Sequence, residues 1–171
     1  MERNAQKVTF GGNPVTLLGE SAKVGDKAKE FTLVNSDMKE VKLSDFEGKI
    51  KILSIAPSID TPVCANQTRT FNKEATKLND NIAVLSISVD LPFALKRFCA
   101  AEGIDNVETL SDHKETDFGL NYGFLIEEMR ILARGIVIID QNDQIQYVEY
   151  VPEIGDEPNY QKAMEAVRKL A

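Results

Sequence analysis

Two cysteines, Cys64 and Cys99, are the only thiols in the chain, and His113 is its only histidine. A thiolate is the nucleophilic, oxidisable form of cysteine, so a pair of thiols can either do redox chemistry together or sit inert in a core. One histidine rules out multi-histidine metal sites and leaves little for a cysteine–histidine nucleophile pair. Two cysteines and one histidine at these spacings do not make a zinc site. Cys64-Ala65-Asn66-Gln67 lacks the second cysteine of a Cys-x-x-Cys motif, which weakens a dithiol–disulfide oxidoreductase reading. No glycine loop of the phosphate-cradling kind is present. His113 lies in the polar run Ser111-Asp112-His113-Lys114 and reads as solvated surface. Glu127-Glu128 reads as a charged turn, and Asp60 as a residue that helps cap a helix.

The chemistry of Cys64 depends on the element that carries it. Lys49–Ala56 reads as a central strand, with Ile50, Ile52, Leu53 and Ile55 apolar on both faces. A helix follows from Pro62 to about Leu78, with Thr61 as N-cap and Pro62 at the first helical position. Cys64, Thr68, Phe71, Ala75 and Leu78 share one face of it. Cys64 is then near the third helical position, where free N–H groups and the helix dipole favour an anion. The same residue is on the apolar face, so composition and periodicity leave two readings open: a packing cysteine or a reactive thiolate.

Ile82–Val89 reads as a second buried strand, completing a βαβ unit with parallel strands. A helix over Pro92–Glu102 follows, with Leu91, Leu95 and Phe98 as its apolar stripe and Gly103 to end it. Cys99 is beside Phe98 there, and taken alone reads as packing. Short strands are expected near Phe31–Val34, Glu40–Leu43 and Val107–Leu110, and a short helix near Glu115–Asn121. Gly135–Asp140 and Gln144–Tyr150 form a hairpin, and Tyr160, Ala163, Val167 and Leu170 give a last helix its buried face. At the start, Lys7–Phe10 and Val15–Leu18 flank the turn formers Gly11-Gly12-Asn13-Pro14 as a further hairpin. The expected class is α/β: a thioredoxin-like fold with a mixed central sheet flanked by helices and an N-terminal β-hairpin. Residues 1–171 read as one domain, with residues 1–19 as the hairpin extension.

The bulk properties narrow the partners. The chain has 171 residues and a formal net charge of −7. That balance argues against nonspecific nucleic-acid binding, which needs Lys and Arg to neutralise phosphates. No stretch approaches the roughly 18 apolar residues of a membrane span. Met1–Lys7 has no apolar core, so no secretory signal is expected, and a cytoplasmic location follows as the expectation. Thiols are normally kept reduced there, so a purely structural disulfide is not expected.

The segment Pro57-Ser58-Ile59-Asp60-Thr61-Pro62-Val63-Cys64, with Ala65–Asn72 after it, resembles the active-site segment of bacterial thiol peroxidases, which are atypical two-cysteine peroxiredoxins. The resemblance continues through Leu91–Cys99, Ser111-Asp112-His113, Phe118-Gly119, Leu132-Ala133-Arg134 and the Phe10–Leu18 hairpin, and so covers nearly the whole chain. It implies that Cys64 is the peroxidatic cysteine and Cys99 the resolving one, closing an intramolecular Cys64–Cys99 disulfide. It implies that Thr61 hydrogen-bonds the thiolate and the peroxide, that Pro57 walls the pocket, and that Arg134 supplies a fixed positive charge. Without it, Arg134 could not be chosen over Arg69, Arg97 or Arg130. It also implies hydroperoxide substrates, thioredoxin as reductant, a homodimer and no bound cofactor or metal. Two positions depart from the family pattern. Lys29 stands where relatives often carry proline, and Gly135 stands where a larger residue is common, which predicts a looser strand beside Arg134.

Overall fold

A computed structural model describes residues 2–171. In chain order the strands and helices are β1 (Val8–Phe10), β2 (Asn13–Val15), β3 (Leu17–Leu18), β4 (Thr32–Asn35), β5 (Glu40–Lys42), β6 (Ile50–Ile55), α1 (Pro62–Ala75), β7 (Ile82–Ser88), α2 (Pro92–Glu102), β8 (Glu108–Ser111), α3 (Asp117–Tyr122), β9 (Leu125–Ile126), β10 (Gly135–Ile139), β11 (Ile145–Tyr150) and α4 (Tyr160–Leu170). A single 3-10 turn, Leu43–Phe46, links β5 to the strand that leads to Cys64.

Seven strands form one sheet in the order β11-β10-β6-β7-β8-β4-β5. The β6, β7 and β8 trio is parallel, and its neighbours on both sides run antiparallel. Parallel neighbours require crossovers, and α1 and α2 are those crossovers. They share the sheet face that packs Ile50, Ile52, Val84, Ile136 and Ile138 with α4. The other face buries Leu53, Ile55, Leu85, Ile87 and Val137 with α3 and the β3–β9 pair. Alternation along β6 splits its isoleucines and leucine between the two cores, which makes β6 a buried central strand.

Several boundaries shift for identifiable reasons. α1 ends at Ala75, short of Leu78, because the Thr76 hydroxyl donates to the Lys73 carbonyl at 2.7 Å and the chain tightens there. α3 starts at Asp117 because Thr116 has φ 51°, outside the right-handed helix. The N-terminal hairpin is shorter than its sequence suggests. Val8 pairs with Val15 across a Gly11-Gly12 turn, and both glycines have positive φ, as a two-residue hairpin turn requires. Leu17 and Leu18 leave the hairpin and pair with Ile126 and Leu125. Leu91 is exposed and not part of an apolar stripe, because it is the extended N-cap residue before α2.

Gly135 does not loosen its strand. It pairs with Ile55 on one side and Tyr150 on the other. A Cβ there would lie 2.1 Å from the Glu149 carbonyl oxygen and 2.5 Å from the Phe124 ring, so only glycine fits. The close approach holds Arg134 at the head of β10 against the centre of the sheet.

Candidate active site

Cys64 occupies the third position of α1, where the chain leaves the carboxyl end of β6. Its backbone partners explain the helix start: Thr61 is extended at φ −110°, and its carbonyl accepts the Ala65 N–H at 3.0 Å. The thiol is fully buried. Two donors reach its sulfur: the Ser58 backbone N–H at 3.5 Å and Arg134 Nη2 at 3.2 Å.

Arg134 is 2 % exposed, yet its guanidinium has no carboxylate within ion-pairing distance among the described residues. Its other nitrogens are held by neutral acceptors. Nε donates to the Ile154 carbonyl at 2.7 Å and Nη1 to Gln67 Oε1 at 2.9 Å. Gln67 is itself fixed, its amide donating to Ser54 Oγ at 2.7 Å and the Ile55 carbonyl at 3.2 Å. A buried cation in neutral company strongly favours an anion beside it. Among the described residues its remaining partner is the Cys64 sulfur, which also sits at the positive end of the α1 dipole.

Pro57, Thr61 and Arg134 line one cavity of about 200 Å³, together with Phe10, Pro62 and Ile154. Four of the five residues expected at the site (Pro57, Thr61, Cys64 and Arg134) are therefore gathered at one place. Thr61 does not bond the sulfur; its hydroxyl donates to the Ser58 carbonyl at 3.0 Å. The fifth, Cys99, is apart from them. It is half-buried on α2, its thiol 3.4 Å from Thr109 Oγ1, and both cysteines are free. Asp60 does not cap α1; it is exposed, 3.8 Å from Arg97. His113 is half-buried, with Nδ1 2.9 Å from Ser111 Oγ, so it is not simple solvated surface. Glu127 pairs with Arg3 at 3.0 Å, and Glu128 accepts the Thr16 N–H at 2.9 Å.

Gln67 is a site neighbour that the sequence does not mark. It follows Cys64 by one helical turn, and a polar residue there reads as solvent-facing. The sheet holds another hidden polar feature. Ser54, Ser86 and Thr109 are in register on β6, β7 and β8 and form a buried row of hydroxyls under α1 and α2. Gln67 meets one end of the row, Thr68 the middle at 3.4 Å and Cys99 the other end. A sequence signal exists: Ser54 and Ser86 each stand between apolar residues of their strands, and Thr109 precedes Leu110 on β8.

Comparison with known proteins gives a consistent family. The Redoxin family model matches residues 23–164. A curated thiol peroxidase from Listeria innocua is 55 % identical over 95 % of this chain and 98 % of its own. One from Bacillus subtilis is 51 % identical over 96 % of this chain and 98 % of its own. Among solved structures, a peroxiredoxin-like protein from Aquifex aeolicus superposes with TM-score 0.92 at 39 % identity, covering all of both chains.

Proposed function

The chain belongs to the Redoxin family and is a thiol-dependent peroxidase, and we propose that Cys64 is its peroxidatic cysteine and Cys99 its resolving cysteine. One observation carries the assignment of Cys64: the buried Arg134 guanidinium, without a carboxylate partner among the described residues, touches its sulfur at 3.2 Å. The thiolate attacks one peroxide oxygen. An S–O bond forms, the O–O bond breaks, and sulfur loses two electrons. The departing alkoxide or hydroxide takes a proton and leaves as alcohol or water, while Cys64 becomes a sulfenic acid. Arg134 stabilises the negative charge that spreads over sulfur and oxygen. Thr61 contributes from the cavity wall. Its proton is held by the Ser58 carbonyl, and we assign its oxygen the role of accepting the peroxide O–H once substrate is bound. Pro57 closes the wall against water.

The cavity lining suits the organic part of the substrate. Phe10, Pro62, Val63 and Ile154 offer apolar surface, so alkyl hydroperoxides as well as hydrogen peroxide fit the site. In the second step the Cys99 thiol attacks the sulfenic sulfur, and a disulfide and water form. A dithiol reductant of the thioredoxin type then restores both thiols. We place this chemistry in the cytoplasm, in keeping with the absence of any described helix long and apolar enough to cross a membrane. A homodimer is proposed too. Phe93 and Leu91, 71 % and 53 % exposed at the start of α2, supply apolar surface for it, and a monomer in sedimentation equilibrium would refute it.

The test is thiol stoichiometry. Wild-type protein should lose both thiols with about one equivalent of hydroperoxide. Cys64→Ser should lose none, and Cys99→Ser should stop at a sulfenic acid that a dione probe traps. Peroxide consumption that survives Cys64→Ser would overturn the assignment.

A further inference from the structure

Asp90 sits one residue before the N-cap of α2 and spends none of its charge on a cation among the described residues. It faces the loop that leads into Cys64. Oδ1 accepts the Ser58 hydroxyl at 2.7 Å, and Oδ2 accepts the Ile59 backbone N–H at 2.9 Å. The Ser88 hydroxyl at the end of β7 also donates to Oδ2, at 2.8 Å. The Asp90 carbonyl accepts the Ser111 hydroxyl from β8. The residue is thus anchored to two strands through Ser88 and Ser111, and its carboxylate reaches across to the loop.

Ser58 gives that reach its meaning. Its N–H is one of the two donors to the Cys64 sulfur. Its carbonyl accepts the Thr61 hydroxyl at 3.0 Å and the Thr61 N–H at 3.2 Å. Its own hydroxyl oxygen accepts the Asp60 N–H at 3.1 Å. One residue therefore aims a donor at the sulfur and fixes the direction of the Thr61 hydroxyl, and Asp90 fixes that residue.

We propose that Asp90 is a positioning residue for the reaction at Cys64: acting through Ser58 and Ile59, it latches the peroxidatic loop to the start of the helix that carries Cys99. The inference rests on the peroxidase reading. It has opposite consequences for the two steps. Attack on peroxide needs the loop held, because small displacements of a reacting group are costly. Disulfide closure needs the loop to let go, because the two Cα atoms must come within about 7 Å. Removing the latch should slow the first step and spare or speed the second.

The test uses Asp90→Ala and Asp90→Asn in the full chain, with Ser58→Ala as a milder variant should Asp90→Ala fold poorly. Asparagine can keep all three contacts: its oxygen accepts from Ile59 and Ser88, and its amide donates to Ser58. Rapid quench with hydrogen peroxide, followed by alkylation and mass spectrometry, resolves Cys64 oxidation from disulfide closure. Asp90→Ala should slow oxidation by about tenfold or more, with closure at least as fast as in wild type. Ser58→Ala should slow oxidation in the same direction, and Asp90→Asn should restore it to within about threefold of wild type. Wild-type oxidation rates in both Asp90→Ala and Ser58→Ala would overturn the latch. So would equal slowing of both steps, which marks general destabilisation, or an Asp90→Asn as slow as Asp90→Ala. A wild-type protein that loses no thiol to peroxide would overturn the peroxidase reading itself, and the latch with it.

Discussion

At the scale of single residues, the site is organised around a cation. Arg134 is buried, serves three acceptors in fixed directions, and leaves only a sulfur to balance its charge. Arg134→Met keeps much of the volume and removes both charge and donors. The second-order rate of Cys64 with hydroperoxide should then fall by about 10²–10³-fold, the scale of losing one donor aimed at developing charge. Stability should also drop, by about 1–3 kcal/mol, because Gln67 Oε1 and the Ile154 carbonyl lose a buried partner. Stopped-flow kinetics and urea unfolding measure the two effects, and an unchanged rate would remove Arg134 from the reaction. Arg134→Lys should fall between, since an ammonium cannot present the guanidinium fork. Cys64 and its helix start were legible in the sequence because Thr61-Pro62 marks a helix start by local chemistry. Gln67 was not, because what buries it is the arrival of Ser54 and Arg134 from distant strands.

At the scale of elements, the β6–α1–β7–α2 stretch could be read from apolar periodicity and its proline starts. The β3–β9 pair could not. Its strands are two residues long, which carries no period, and they are far apart in the chain. The N-terminal hairpin depends on another non-local device. Glu153 accepts the Thr9 hydroxyl at 2.9 Å and the N–H groups of Gly11, Gly12 and Gly155 at 3.2, 2.8 and 2.7 Å. Those N–H groups, Gly155 and Gly12 foremost, pull its carboxyl down to about 2. A depressed carboxyl stabilises the fold above its ordinary value of about 4.3, and that contribution is lost as pH falls through about 2. The hairpin should therefore stay docked at pH 4 and loosen first below pH 3, as amide exchange at Gly11 and Gly12 would register. Because Phe10 lines the cavity, Glu153→Ala should raise KM for a bulky aryl hydroperoxide by about 3–10-fold and leave hydrogen peroxide within about twofold. Equal KM changes for the two substrates would show that the hairpin does not shape the site.

At the scale of the whole molecule, the two thiols belong to neighbouring helices that lie side by side on one face of the sheet, over a shared row of hydroxyls. Cys64 is at the start of α1, whereas Cys99 is seven positions along α2 from Pro92, a displacement of about 10 Å along the helix at 1.5 Å per residue. Helices on one sheet face with that offset keep the two Cα atoms beyond about 7 Å, so the proposed disulfide requires part of α1, α2 or both to unwind. The cross-link alone would restrict the unfolded chain and stabilise the molecule by roughly 3–4 kcal/mol. Against it stand the helical turns given up, the Cys99 contact with Thr109, and a buried Arg134 that loses its contact with the Cys64 sulfur. These outweigh the entropic gain if the reduced form is as well satisfied as its hydrogen bonds indicate. The oxidised protein should therefore melt below the reduced one, by about 3–10 °C for a net loss of roughly 1–3 kcal/mol in a chain of this size. Scanning calorimetry of peroxide-treated and dithiol-treated protein reads the difference directly, with Cys99→Ser as the control that cannot form the bond. An oxidised form that melts higher by the full cross-link value would mean that the thiols meet without unwinding, and that the two helices are more mobile than their packing implies.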